Sequence, residues 1–331
     1  MIRAYRSLLA WFQAWLLAWD RFWFTPAEPQ TLGLIRIMGG AMLFYTHLVW
    51  GKDLIAFMGP DGWLPNEVMQ DFFRGSFVWS YLWYFESPAI LWLLHSVALV
   101  VFALLTVGLF SRVVPILAWL ITIAYCQRLN GAFFGLDQVN GMLAMYLALG
   151  NSGDAYSLDR WLQLRRGGAV TPRASVRTNL AIRMIQLHLC IIYVFGGISK
   201  LRGEMWWDGS AVWFSVANLE YQTLDMTWLV QFPWLIALMT HVTVFWETFY
   251  CALVWPKMTR PIALIVAVCV HGGIVAFLGM PTFGLAMMIA NGAFLSPQWV
   301  DSIIHGVLRG LRLERAGQGG EDRITAEIAA I

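Results

Sequence analysis

The sequence predicts an all-α polytopic membrane protein, with about eight transmembrane helices and interfacial amphipathic helices at its ends. Three observations predict it. The 331 residues are 59% hydrophobic and 13% charged, with a mean hydropathy of +0.62, whereas an ordinary globular chain is about a quarter charged. Eight apolar segments of spanning or near-spanning length follow one another, at about 31–50, 88–110, 113–129, 135–150, 179–200, 232–255, 261–279 and 281–296. Many of the tryptophans fall at segment ends, as at Trp50, Trp63, Trp79, Trp83, Trp206, Trp207, Trp228, Trp234 and Trp255, where an aromatic belt would sit.

Residues 1–29 come first. Arg3, Arg6 and Arg21 stand among Trp11, Trp15, Trp19 and Trp23, the pattern of a helix lying on the membrane surface. No short apolar run with a small-residue cleavage site marks a removable signal peptide. The bundle then occupies 30–297, and 298–331 form a basic interfacial helix followed by a flexible tail from Ala316. Two long connections are rich in signal. Residues 51–86 carry the turn cluster Gly59-Pro60-Asp61-Gly62-Trp63-Leu64-Pro65 and an aromatic stretch from Phe72 to Tyr84. Residues 201–231 carry Trp206-Trp207-Asp208-Gly209 and an amphipathic stretch. Both read as lids over one mouth of the bundle.

Charge gives the orientation. With the N-terminus inside, fifteen basic residues fall on inner segments and five, Lys52, Arg74, Arg128, Lys200 and Arg202, on outer ones. That bias predicts eight crossings with both termini cytoplasmic and the two lids outside. The net charge of +2 gives no reason to expect nucleic acid as a partner. The four cysteines, Cys126, Cys190, Cys251 and Cys269, form no CxxC and predict no disulfide framework. The absence of an internal repeat and of paired broken helices weakens a transporter reading.

The candidate site is the run Tyr193-Val-Phe-Gly-Gly-Ile-Ser-Lys-Leu-Arg202. A long apolar helix ends there in Lys200, at or just inside a membrane boundary, where an ammonium must snorkel, pair or lose its proton. Tyr193 and Gln186 fall within roughly 40° of Lys200 around the helix, and Gly196 and Gly197 remove bulk one turn before it. A polar stripe beside a hollow is one reading; a snorkelling lysine above a close helix crossing is the other. Further ionisable groups lie inside apolar segments at Arg36, Asp137, Arg183, Glu247 and His271. Antiparallel packing would bring Asp137 to the depth of Lys200, as ion-pair partner or substrate-orienting group. Glu247 could pair with Arg36 or Arg183 as buried structural glue, and His271 beside Gly272 and Gly273 is either a satisfied core residue or part of a site. The histidines at 47, 95, 188, 241 and 271 stand on separate segments without metal-ligand spacing, so neither metal nor haem is expected. A quinone needs only an apolar slot with a few polar groups at its mouth.

Several of these residues occur together in a known family. Tyr193-x-x-Gly-Gly-x-x-Lys-Leu201 with Trp206 and Gly209, Gly59-Pro-Asp-Gly-Trp-Leu-Pro65, Gly135-Leu-Asp-Gln-Val-Asn140 with Tyr156-Ser-Leu-Asp159, Trp246-Glu247, Thr259-Arg-Pro261 and His271 resemble the HTTM (horizontally transferred transmembrane) domain family. The similarity runs from about residue 10 to about residue 300. That family includes the membrane part of vitamin K-dependent gamma-glutamyl carboxylase, in which a lysine in the position of Lys200 is the base that starts oxygenation of the reduced quinone. Where carboxylases carry a functional histidine, this chain has Leu136 and Asp137, and its 331 residues hold no counterpart of their large C-terminal extramembrane region.

The resemblance implies an enzyme of the quinol epoxidase and lyase type, in a bacterial inner membrane with its site facing the periplasm or exterior. Lys200 would be the general base, joined by Asp137 and His271 as catalytic residues. Tyr193, Gln186, Gly197 and Trp206 would bind the cofactor, a reduced quinone such as menaquinol or a vitamin K-like quinol, with oxygen and carbon dioxide as co-substrates. An amine in an apolar pocket gives up its charge more easily, which suits that role. Membrane lipids and a secreted peptide or small-molecule substrate are the expected partners. Two other functions fit the sequence: a non-enzymatic membrane partner in maturation of, or immunity to, an exported peptide, and a lipid-binding scaffold or transporter.

Overall fold

The computed structural model describes residues 2–167 and 172–316. It is helical throughout, with one isolated antiparallel bridge between Ala27 and Ser175 among the described residues. The longer helices are α1 (Ile2–Phe24), α2 (Gln30–Trp50), α3 (Pro88–Val107), α4 (Val114–Arg128), α5 (Gly135–Leu149), α6 (Val176–Leu201), α7 (Pro233–Leu253), α8 (Arg260–Phe277), α9 (Pro281–Asn291) and α10 (Pro297–Ala316). Each of the eight apolar segments is thus a helix. Among the described residues five stretches are long and apolar enough to cross a membrane: Gln30–Met58, Pro88–Val107, Val176–Leu201, Pro233–Leu253 and Arg260–Phe277. The other three, α4, α5 and α9, have 15, 15 and 11 residues and fall short of a hydrocarbon core of about 30 Å at 1.5 Å per residue. The flexible tail expected after Ala316 lies outside the described residues.

The helices begin and end where local chemistry dictates. Proline occupies the first turn of α3, α4, α7, α8 and α9, where its missing N–H costs nothing. Successive helices run in opposite directions. Arg36 near the start of α2 meets the end of α3, whereas His47 near the end of α2 faces His95 near the start of α3. Arg177 Nε donates to Leu149 O, joining the start of α6 to the end of α5. Lys200, Tyr193 and Arg183 lie beside Glu247, Tyr250 and Trp255 in turn, so α6 and α7 are antiparallel too. The helix α1 is exposed from Ser7 to Arg21 and presents Trp11, Trp15 and Trp19 outwards, with Phe22 and Trp23 half-buried. It is tied to the bundle at its end, where Asn179 Nδ2 donates to the carbonyls of Phe22 and Trp23 at 2.8 Å each.

Arg36 is wholly buried and pairs with backbone, not with Glu247. Its Nε donates to Ser152 O at 3.0 Å, Nη1 to Leu105 O and Thr106 O at 2.9 Å each, and Nη2 to Tyr156 O at 2.6 Å. Leu105 and Thr106 belong to the last turn of α3, whose carbonyls carry the negative end of its dipole; Leu105 O also accepts from Gly108 N at 3.2 Å. Gly108 closes that helix at φ +71°, and a Cβ there would overlap the guanidinium. Arg183 is also not a partner of Glu247: it donates to Gln186 Oε1 at 2.9 Å and lies over the Phe22 ring. Replacing Arg36 by Met should therefore cost about 3 kcal/mol or more, because several buried carbonyls lose their donor. Gly108→Ala should be at least as damaging. Thermal unfolding of the detergent-solubilised variants checks both, and an unchanged midpoint for Arg36→Met would refute the assignment.

Candidate functional site: a cavity between α6, α7, α8 and α9

Close approach of two helices creates the site. At Gly197 a Cβ would come within 2.6–2.7 Å of Thr248 N, Oγ1 and Cα, so glycine is what lets α6 lie directly against α7. Gly196, the next residue, has a different task. A Cβ there would stand 3.2 Å from Glu247 Oε2 and 3.8 Å from Lys200 Nζ, so its missing side chain leaves room for an ion pair. Lys200 Nζ donates to Glu247 Oε2 at 2.6 Å, with side-chain exposures of 28% and 10%. The ring of Trp206 lies 5.4 Å from the ammonium, within cation–π range.

The pair joins the last turn of α6 to the interior of α7. Glu247 is fourteen residues beyond Pro233, the start of α7, which is about 21 Å of helix. The chain after α6 folds back over the pair as a roof: Trp206, Val212, Ser215 and Val216 line the cavity beneath it. A tight turn holds this roof, in which Asp208 Oδ1 accepts from Ser210 N at 2.8 Å and Ser210 Oγ at 2.6 Å. The Ser210 hydroxyl and amide hold the Asp208 carboxyl below the ordinary carboxylate range. Of the two expected lids only 201–231 covers this cavity. Residues 51–86 pack elsewhere, where Ser80 Oγ donates to Ala124 O and Met58 O accepts from Arg128.

The cavity measures about 710 Å³ and is walled mainly by Val, Ile, Met and Phe side chains. That is the size and character of a small-molecule pocket. Besides Lys200 and Glu247, its polar lining includes Tyr193 and His271. These belong to a hydrogen-bond chain whose direction can be assigned. Asn291 Nδ2 donates to Met287 O at 2.9 Å, and a carbonyl can only accept, so the amide orientation is fixed. The same Nδ2 donates to Tyr193 Oη at 2.8 Å, and Tyr250 Oη donates to Asn291 Oδ1 at 2.7 Å. Tyr193 then keeps its own proton for His271 Nε2, 2.7 Å away. His271 is left as the Nδ1–H tautomer, and that nitrogen is buried without a partner among the described residues.

The structure brings some of the expected site residues together and sets others apart. Lys200, Tyr193, His271 and Trp206 all line the cavity. Gly197 does not; it is the packing contact, and Gly196 is the lining residue. Gln186 is on the right side of α6 but about 21 Å below Lys200 along it. There it donates to Ala293 O at 2.7 Å. Asp137 is not the partner of Lys200. Its carboxylate accepts from Phe134 N at 3.1 Å, capping the start of its own helix. It faces a space of about 20 Å³ shared with His47, Tyr125, Cys126 and Asn140. The ring of Phe283 stands on the cavity side of α5, where a Cβ at Gly135 would meet it at 3.0 Å. Asn291 and Tyr250 were not anticipated, although an asparagine closing an apolar helix is the kind of polar group that earns attention in a membrane.

No family model, no curated protein and no solved structure matches the chain.

The two glycines should separate on mutation. Gly197→Ala should destabilise strongly by forcing α6 from α7, whereas Gly196→Ala should keep the fold and crowd only the ion pair. For the pair itself, Lys200→Met and Glu247→Gln should each cost about 3 kcal/mol by leaving one group without its partner, and the double variant should recover much of the loss. Thermal unfolding of the parent and the three variants forms the cycle, and strict additivity would refute the coupling.

Proposed function

We propose that the chain is an integral-membrane enzyme of the HTTM kind, in which Lys200 is the general base acting on a lipid-soluble reduced quinone. The reading is carried by one observation: Lys200 stands in a largely apolar cavity, hydrogen-bonded to Glu247 at 2.6 Å. A quinol fits the donor set. The rings of Phe277 and Phe283 and the aliphatic walls would take a planar ring and its tail, and polar groups meet only part of the lining. The bound quinol would supply an oxidisable hydroxyl-bearing ring, with oxygen as oxidant. The side chains supply the rest. Glu247 can take the proton of the ammonium across the existing hydrogen bond, which frees the amine to accept one from the ligand. Trp206 and the roof of 204–217 would exclude water, and His271, held by Tyr193, would orient the ring. The coupled substrate, a small molecule or an exported peptide to be deprotonated or carboxylated, would approach from the roof side.

In this reading all eight helices of the bundle cross an inner membrane, the shorter ones where the bundle is thinned, and the termini are cytoplasmic. The alternating helix directions support it, as does the excess of arginine at the end of the bundle holding Arg112, Arg160, Arg177 and Arg260. The exposed aromatic residues of 51–86, among them Trp63, Phe72 and Trp79, favour a second function, a docking partner for an exported peptide.

The test is oxygen uptake and quinol oxidation by the purified protein in lipid nanodiscs supplied with menaquinol. Lys200→Ala should fall to background and Glu247→Gln should lose roughly tenfold or more, the scale of general acid–base assistance. No quinol consumption by the parent protein, or full activity of Lys200→Ala, would overturn the proposal. A silent Lys200→Ala together with loss of peptide maturation on changes in 51–86 would establish the second function.

A further inference from the structure

Most residues lining the cavity are buried or half-buried, but three are exposed, and they mark where it opens. Ser215 lies on the roof; Val242 and Cys269 lie on α7 and α8. Val242 is nine residues beyond Pro233, and Cys269 nine beyond Arg260, so both stand near the middle of helices long and apolar enough to cross a membrane. The surface beside them is apolar, with Leu238, Phe245, Ile265 and Val268 all exposed. An opening at mid-span, framed by aliphatic side chains, gives onto hydrocarbon and not onto water.

The charge of the lining sets the head group. Lys200 and Glu247 are its charged residues, and they neutralise each other. A phosphate entering this space would lose its water without gaining a spare cation, which is costly. A hydroxyl or carbonyl head can be met by the ion pair and by the Tyr193–His271 pair at no such cost.

We infer that the cavity is entered sideways from the bilayer, between α7 and α8, by a prenyl- or acyl-tailed lipid with an uncharged, hydroxyl-bearing head. The head reaches Lys200 and Glu247, and the tail passes out between Val242 and Cys269. This rests on the reading of the cavity as a lipid-ligand site and adds the route and the head-group charge, without depending on base catalysis.

Photolabelling of the full chain in liposomes tests it. Two diazirine probes are compared, an uncharged prenyl alcohol and a phosphatidylglycerol labelled in its acyl chain, with crosslinks mapped by peptide mass spectrometry. The prenyl probe should concentrate on 239–247 and 266–274 and be displaced by excess unlabelled prenyl alcohol. The phosphatidylglycerol probe should label the outer surface of the bundle without such displacement. Val242→Trp with Cys269→Trp, both at exposed positions that tolerate bulk, should remove most of the displaceable label. Equal displaceable labelling by the phospholipid, labelling spread evenly round the bundle, or full labelling of the double tryptophan variant would overturn the inference. Loss of quinol oxidation in the parent with labelling intact would count against the chemistry alone, and lost labelling with quinol oxidation intact would count against the route alone.

Discussion

Neutralisation of Lys200 by Glu247 is the constraint on which this half of the molecule depends. Neither group can be held inside an apolar bundle alone, and the cost of removing each from water is recovered only by close contact between them. Close contact in turn needs two absences on α6. Gly197 lets the backbones approach until only hydrogen fits against Thr248, and Gly196 leaves the carboxylate unobstructed. A larger residue at either position would move the charges apart where no solvent compensates. The Gly-Gly pair, the lysine one turn later and the glutamate on the facing helix are therefore one device.

The two halves of the bundle use buried charge differently. In α2 and α3, Arg36 commits four of its five N–H groups to backbone carbonyls and is wholly buried, so it is held as structure and, among the described residues, borders no cavity of comparable size. In α6 to α9 the ion pair satisfies itself across a single contact and borders open space. Packed interiors normally leave little room larger than a water molecule. A cavity of this size among aliphatic walls forgoes the dispersion contacts that would otherwise hold α7 to α8. In a bilayer that loss is offset when a lipid-soluble molecule occupies the space, which gives the hollow half a physical reason to be a binding half.

The helical segments were legible because each carries a long apolar run, and the run is itself the physical cause of the helix in a membrane. Lys200, Tyr193 and His271 were legible because polar groups in such runs are costly and so stand out. What failed was anything that needed depth or rotation about a second axis. Gln186 shares an angle with Lys200 on α6, but angle says nothing of the distance along the helix. Asp137 was placed by depth, yet the first turn of its own helix claims its carboxylate, and it lines a separate small space while Phe283, packed on Gly135, lines the large cavity. Glu247 reads from the sequence as a partner of Arg36 or Arg183, but which helix lies beside α7 decides the matter, and α6 brings Lys200 to it instead.

The direction of the hydrogen bonds assigns the remaining roles. Because Met287 O fixes the amide of Asn291, every proton from Tyr250 to His271 is committed in one sense. Nε2 of His271 is occupied as an acceptor, and the nitrogen left over bears a hydrogen. In this arrangement the imidazole can donate to a ligand oxygen but has no free lone pair with which to remove a proton from one. The pair that can exchange a proton without breaking another contact is Lys200 with Glu247, where donor and acceptor already share one at 2.6 Å. In the proposed function the histidine and the lysine thus border the same space in separate capacities, one suited to holding an oxygen and the other to changing its charge.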